Sequence, residues 1–233
     1  MSTRLFACLL ALALTAPADA ATRNFGITGF TKIRVSGPYK VTLATGVAPF
    51  ARASGSADGL DRLAVEVRGD TLVVQSNASW GGYPGADPGP VEVTVGTHDL
   101  TNVSLTGSGS VAIDRVKSQR FFLTVQGSGA GEVRDSAVDQ LSISLEGTAA
   151  ALVNGKAGKL TALVRGVSTL NAGGLVTPSA DIDADGAATI DATVTDTAKI
   201  NGWGPATVRL SGRPACTLKV QGSTTVSGCR STQ

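Results

Sequence analysis

Large side chains are what this chain has least of. Phe, Trp and Tyr together make up 4% of its 233 residues, and there is a single Met and a single His. A core filled without rings has to be narrow, because small aliphatic side chains occupy little volume each. His98 stands in a turn-like Gly96-Thr97-His98-Asp99 stretch with no nucleophile-elbow pattern, so histidine-dependent nucleophilic catalysis finds no setting. No His/Cys cluster has zinc spacing. Charge is sparse and balanced: 20 Lys and Arg against 18 Asp and Glu leave a net charge of +2. That excludes the dense basic surface of a nucleic-acid binder. Beyond the first 20 residues no stretch approaches the roughly 18 apolar residues of a spanning helix. None repeats apolar residues at helical spacing either, and no motif calls for a cofactor.

The beginning of the chain reads as a leader. Arg4 supplies a basic start, Leu5 to Thr15 form an apolar run, Pro17 breaks it, and Ala18-Asp19-Ala20 is a small-x-small cleavage site. Residues 1–20 are therefore expected to be a signal peptide, and the mature chain an exported protein of the periplasm or cell surface without a membrane span. Cleavage removes Cys8 and leaves Cys216 and Cys229 as an even pair. In an oxidising compartment these two are expected to form a disulfide.

What the sequence has in quantity is glycine, and one glycine keeps returning: Gly107, Gly127, Gly147, Gly166, Gly186, Gly204 and Gly222, at gaps of 20, 20, 19, 20, 18 and 18 residues. Around it recur Val103-Ser-Leu-Thr-Gly107-Ser-Gly, Leu123-Thr-Val-Gln-Gly127-Ser-Gly and Ile143-Ser-Leu-Glu-Gly147-Thr-Ala. A period near 20 marks a solenoid. Four residues before each glycine stand Val103, Leu123, Ile143, Ala162, Ile182, Ile200 and Leu218. Two before stand Leu105, Val125, Leu145, Val164, Ala184, Gly202 and Val220, and four after stand Val111, Gly131, Ala151, Leu170, Ile190, Val208 and Val226. These columns point inward, and the polar residues between them point out. Seven turns at about 4.8 Å each would extend roughly 34 Å. The glycine itself needs only a backbone role, as a bend or left-handed residue between two strands of each turn.

Before the repeats, alternation over Lys32 to Val35 and Lys40 to Leu43 predicts two strands joined at Gly37-Pro38, and Leu63 to Val67 with Thr71 to Gln75 a hairpin closed at Gly69-Asp70. Ser79 to Pro90, rich in Pro and Gly, is a loop. The order of Phe30-Thr-Lys-Ile-Arg-Val-Ser-Gly-Pro-Tyr-Lys-Val-Thr-Leu-Ala-Thr-Gly46, Leu63-Ala-Val-Glu-Val-Arg-Gly-Asp-Thr-Leu-Val-Val74 and the Gly-Ser-Gly repeats resembles the autotransporter adhesin head domain, or GIN domain, over about residues 28–229. The resemblance implies an all-β, right-handed parallel β-helix and an adhesin-like role, and it carries over no catalytic residue. No membrane-barrel segments are expected after Gly222. The organisation expected is one β-solenoid domain over 21–233, with a less regular β-rich part at 21–97 and regular repeats at 98–229.

Three groups of residues are candidate sites. Trp80 and Tyr83 in the loop, with Trp203 one residue before a recurring glycine, could offer stacking platforms to a sugar ring. Asp181-Ile-Asp183-Ala-Asp185-Gly186 reads like the first half of a calcium loop, but position twelve is Ala192 where a bidentate Glu is required. Register places Asp181 beside Lys199 and Asp185 beside Arg165, which stacks on Glu146, so charge ladders account for these carboxylates without a metal. As a pair about 7 Å apart, Asp183 and Asp185 also fit an inverting glycosidase, the alternative being a polysaccharide hydrolase or lyase on a β-helix. The favoured reading is a non-enzymatic binding or structural module whose partner is a glycan or an envelope protein. N-terminal sequencing of the exported protein is expected to begin Ala21-Thr22-Arg23; a mature chain still beginning at Met1 would refute the leader.

Overall fold

The computed structural model describes residues 21–77 and 90–230. The expected leader, residues 1–20, and the expected loop from Ser79 up to Gly89, with Trp80 and Tyr83, lie outside the described residues. In chain order the elements are β1 (Ala21–Phe25), β2 (Lys32–Ser36), β3 (Lys40–Thr45), β4 (Phe50–Gly55), α1 (Ala57–Arg62), β5 (Leu63–Arg68), β6 (Thr71–Ser76) and β7 (Glu92–Thr97). Then follow β8 (Asn102–Gly107), β9 (Ser110–Ile113), β10 (Val116–Gly127), β11 (Ala130–Gly147), β12 (Ala150–Gly166), β13 (Thr169–Gly186), β14 (Thr189–Trp203), β15 (Thr207–Ser211), β16 (Ala215–Gln221) and β17 (Thr225–Ser227).

Together these strands build a parallel β-solenoid. Its first side runs β6, β2, β8, β10, β11, β12, β13, β14, β16, each strand parallel to the next. The second side begins with β7, β3 and β9 and continues through the starts of β11, β12, β13 and β14 to β15 and β17. Period-2 alternation decides the interior: Val103, Leu123, Ile143, Ala162, Ile182 and Ile200 are buried in one column. Among the described residues only Phe30, Tyr39 and Phe121 are buried rings, Phe121 the most completely, consistent with a core made mainly of small aliphatics.

The recurring glycine is the corner between first and second sides. Its φ is positive at every occurrence, from +78° at Gly166 to +113° at Gly107, a conformation that costs L-residues with a side chain about 1–2 kcal/mol. Close stacking adds a second requirement that periodicity alone does not reveal. A Cβ on Gly127 would lie 2.7 Å from the carbonyl oxygen of Gly107, and one on Gly147 2.7 Å from that of Gly127. Each corner therefore rests on the backbone of the corner below. Unequal repeat lengths are absorbed along a short third side, residues 136–138, 155–157 and 175–177, which joins the second side back to the first. Register slips on entering it between Val133 and Ser136, Leu152 and Gly155, and Ala172 and Val176, and on leaving it between Thr177 and Ser179.

The N-terminal part is more regular than its sequence suggests, and its order differs from the order in space. Gly37, at φ +116°, is one more corner, its N–H donating to the Thr106 carbonyl at 3.0 Å. So β2 and β3 are two sides of one turn. That turn lies between the β6–β7 turn and the β8–β9 turn. The hairpin expected at Gly69 is present as antiparallel β5 and β6, with Gly69 at φ +65°. Antiparallel β4 and β1 end the second side, and α1 lies beside them. That helix, too short for a periodic signal, is started by Ser56, whose Oγ accepts from the Gly59 N–H at 3.0 Å, and it buries Leu60.

The other end has no such cover among the described residues. Leu218 and Val220, in the inward columns, are 45% and 44% exposed because no further turn lies over them. The core also narrows here: Gly202 leaves room for Thr224, whose Cγ2 would sit 2.6 Å from a Cβ at that position. Cys216 and Cys229 are joined, 13 residues apart, and tie the last turn shut.

The Gly147→Ala variant is expected to lose about 2–4 kcal/mol, from left-handed strain plus backbone collision. Gly69→Ala, with open space around its Cβ, should lose only about 1 kcal/mol. Equal losses in urea unfolding would contradict the stacked corner.

Candidate functional site

The outer surface of the first side, near its C-terminal end, gathers the candidate residues that fall among those described. Alternation on β13 sends Asp181, Asp183 and Asp185 outward, and alternation on β14 does the same for Lys199, Asn201 and Trp203. Parallel register sets Asp181 beside Lys199, Asp183 beside Asn201 and Asp185 beside Trp203. Trp203 in turn lies beside Gln221 on β16. On the opposite flank Thr161, Leu163 and Arg165 of β12 adjoin the three aspartates, and Glu146 adjoins Arg165. The sequence did not join Trp203 to the aspartates. The 18-residue offset between these turns could have done so, because it puts Asp185 and Trp203 in one column.

Contacts distinguish the three carboxylates. Asp181 lies between two ammonium groups, Lys159 Nζ at 3.5 Å and Lys199 Nζ at 3.9 Å, on a shallow groove of about 330 Å³. Asn201 Nδ2 donates to Asp183 Oδ1 at 2.6 Å, which ties the amide to the carboxylate of the neighbouring strand. Asp185 is exposed, and Trp203 beside it shows 42% of its surface. Among the described residues no three His, Cys, Asp or Glu side chains are grouped as a metal site would need. The half calcium loop is thus laid out along one extended strand, two of its carboxylates engaged by Lys and Asn. What this surface offers is an exposed indole edged by a carboxylate and two amides, on rigid strands.

A second feature escaped the sequence reading. On the second side the outward positions Ala112, Ala130, Ala150 and Leu152 form the floor of a trough of about 600 Å³, with Lys40 and Arg134 on its rim. Leu152 is 37% exposed, Lys40 Nζ pairs with Glu92 Oε1 at 2.7 Å, and Arg134 Nε with Glu132 Oε1 at 3.1 Å. The signal available was the pair Ala130 and Ala150 in the column where the following turns place Thr169, Thr189 and Thr207. His98 is exposed in the turn after β7, where its carbonyl accepts from the Gly46 N–H at 3.0 Å. At the N-terminal end of the first side, hydrogen bonds from Lys32 and from Thr71 hold the Asp70 carboxyl below the ordinary carboxylate range.

A model of the family described as "Putative auto-transporter adhesin, head GIN domain" matches residues 29–214. No curated protein matches the chain. Among solved structures, a "putative adhesin" of Bacteroides fragilis is 18% identical, with TM-score 0.79 over 90% of this chain and 97% of its own. A "putative lipid binding protein" of Parabacteroides distasonis is 20% identical, with TM-score 0.72 over 89% and 96%. A "putative adhesin" of Parabacteroides merdae is 19% identical, with TM-score 0.64 over 89% and 95%. At these identities the likeness is one of fold.

Proposed function

This chain belongs to the auto-transporter adhesin head GIN domain family, and from that premise we propose that it is an exported, non-enzymatic binding module of the periplasm or cell surface that holds a glycan against Trp203. The observation that carries the reading is the placement of an exposed indole in register with Asp185 and next to the hydrogen-bonded Asp183–Asn201 pair. A sugar ring stacks its C–H face on an aromatic plane while its hydroxyls bond to planar carboxylates and amides, and both elements are present within three adjacent strands. Rigid strands keep the entropy of ordering low. The hydrolase alternative draws no support from the surroundings of Asp183, whose Oδ1 is taken up by Asn201.

A second reading comes from the trough over Ala130, Ala150 and Leu152. Its apolar floor, edged by the Lys40–Glu92 and Arg134–Glu132 ion pairs, suits a single acyl chain, in keeping with the P. distasonis relative described as lipid binding. A glycan array with the Trp203→Ala and Leu152→Glu variants separates the two. Glycan binding is expected to fall at least about tenfold in Trp203→Ala and to hold in Leu152→Glu. Glycan binding that survives Trp203→Ala would overturn the first reading, and fatty-acid binding abolished only by Leu152→Glu would establish the second.

A further inference from the structure

We propose that the C-terminal end of the solenoid accepts an extended, acidic segment of a partner polypeptide, added as one more strand on the free edge of β16. Three independent features meet there. First, among the described residues nothing covers the end of the inward columns, where Leu218 and Val220 are exposed. Second, among the described residues β16 pairs only with β14, so its other edge presents unpaired backbone N–H and C=O groups. A bare edge of this kind is a template for strand addition. The Cys216–Cys229 link holds that edge in place.

The third feature is charge. After Asp196 the chain contains Lys199, Arg209, Arg213, Lys219 and Arg230 and no Asp or Glu. Lys199 and Arg209 face Asp181 and Asp191. Arg213, Lys219 and Arg230 are exposed and make no ion pair among the described residues. The N-terminal end is different, since antiparallel strands and α1 finish it and acids and bases alternate there as Asp58, Asp61, Arg62, Glu66, Arg68 and Asp70.

This combination selects among occupants. Burial in lipid would leave the edge N–H and C=O groups unpaired in hydrocarbon, which is costly. A second copy joined two-fold at this end would set Lys219 against Lys219 and one trio of unpaired cations against another. An acidic strand satisfies all three features. Leu218 and Val220 point inward and Lys219 outward, so the segment must alternate apolar, acidic, apolar, with further acids toward Arg213 and Arg230. Recognition would then come from the backbone for affinity and from the alternate side chains for selectivity. It does not depend on the glycan surface at Trp203.

The test uses the mature, oxidised chain and two synthetic nonapeptides, one alternating Glu and Val, the other alternating Lys and Val, with binding read by calorimetry. The acidic peptide is expected to bind at least about tenfold more tightly than the basic one, and to weaken as salt is raised. Lys219→Glu should reduce or reverse the preference, and N-methylation of alternate residues in the acidic peptide should abolish binding. Circular dichroism checks that the variant is folded. Equal affinity for the two peptides, or no binding of the acidic one at millimolar concentration, overturns the proposal. So does binding to phosphatidylglycerol vesicles without peptide binding, or a concentration-dependent dimer that Lys219→Gln, by removing the like charge, strengthens.

Discussion

Most of the molecule depends on one backbone approach, in which, from Gly37 and Gly107 through to Gly222, the corner glycine of one turn sits directly on the corner glycine of the turn below. Positive φ admits glycine at little cost, and the absence of Cβ lets carbonyls such as those of Gly107 and Gly127 come within van der Waals reach of the next corner. In the middle of the stack the amide after the corner also donates back to the previous glycine: Ser128 to Gly107 at 3.0 Å, Thr148 to Gly127 at 2.9 Å and Val167 to Gly147 at 2.8 Å. Register on both flanking sides is set from that point. With register set, small aliphatics meet their equivalents and form continuous buried columns, so a protein nearly without buried rings still has an uninterrupted core.

Anchoring register at one corner leaves slack somewhere else. The 19- and 18-residue turns lose residues on the third side, where strands are short and register slips, while the first and second sides stay in phase. For this reason Trp203 can lie beside Asp185 despite the shorter spacing. The two ends are finished by different chemistry. Antiparallel strands and a capped helix shield the core at one end, and at the other a single disulfide secures a narrow last turn whose apolar residues stay open. In the simplest entropy model that link contributes about 3 kcal/mol.

Much of this architecture was legible because a solenoid writes its fold in periodic form. Spacing alone located Gly107 to Gly222, the inward columns and the register that sets Asp181 against Lys199. It failed where the signal occurs once or where three dimensions reorder the chain. Gly37 belongs to the corner column, but it stands 70 residues before Gly107, too far for a 20-residue period to connect them. The placement of β2 between β6 and β8 depends on a crossover that no local pattern encodes. Leu218 and Val220 match their columns in type, and their exposure comes from lying in the last turn among the described residues. Of the candidate aromatics, Trp203 gained neighbours from the fold because it sits within the repeat.

A scaffold with this construction presents flat, rigid outer surfaces whose side chains can vary without disturbing the core. That freedom is what the proposed binding module requires, and on that proposal selectivity resides in the outward columns and at the open end. The claim on which all of this rests is that the corners are stacked. Hydrogen exchange by NMR on the oxidised protein measures it directly. The amides of Ser128, Thr148 and Val167, each bonded to a glycine carbonyl one turn below, should exchange as slowly as those of the buried strands around them. If they exchange as fast as the amide of Asp70 in the β5–β6 turn, the corners are not stacked and the account fails.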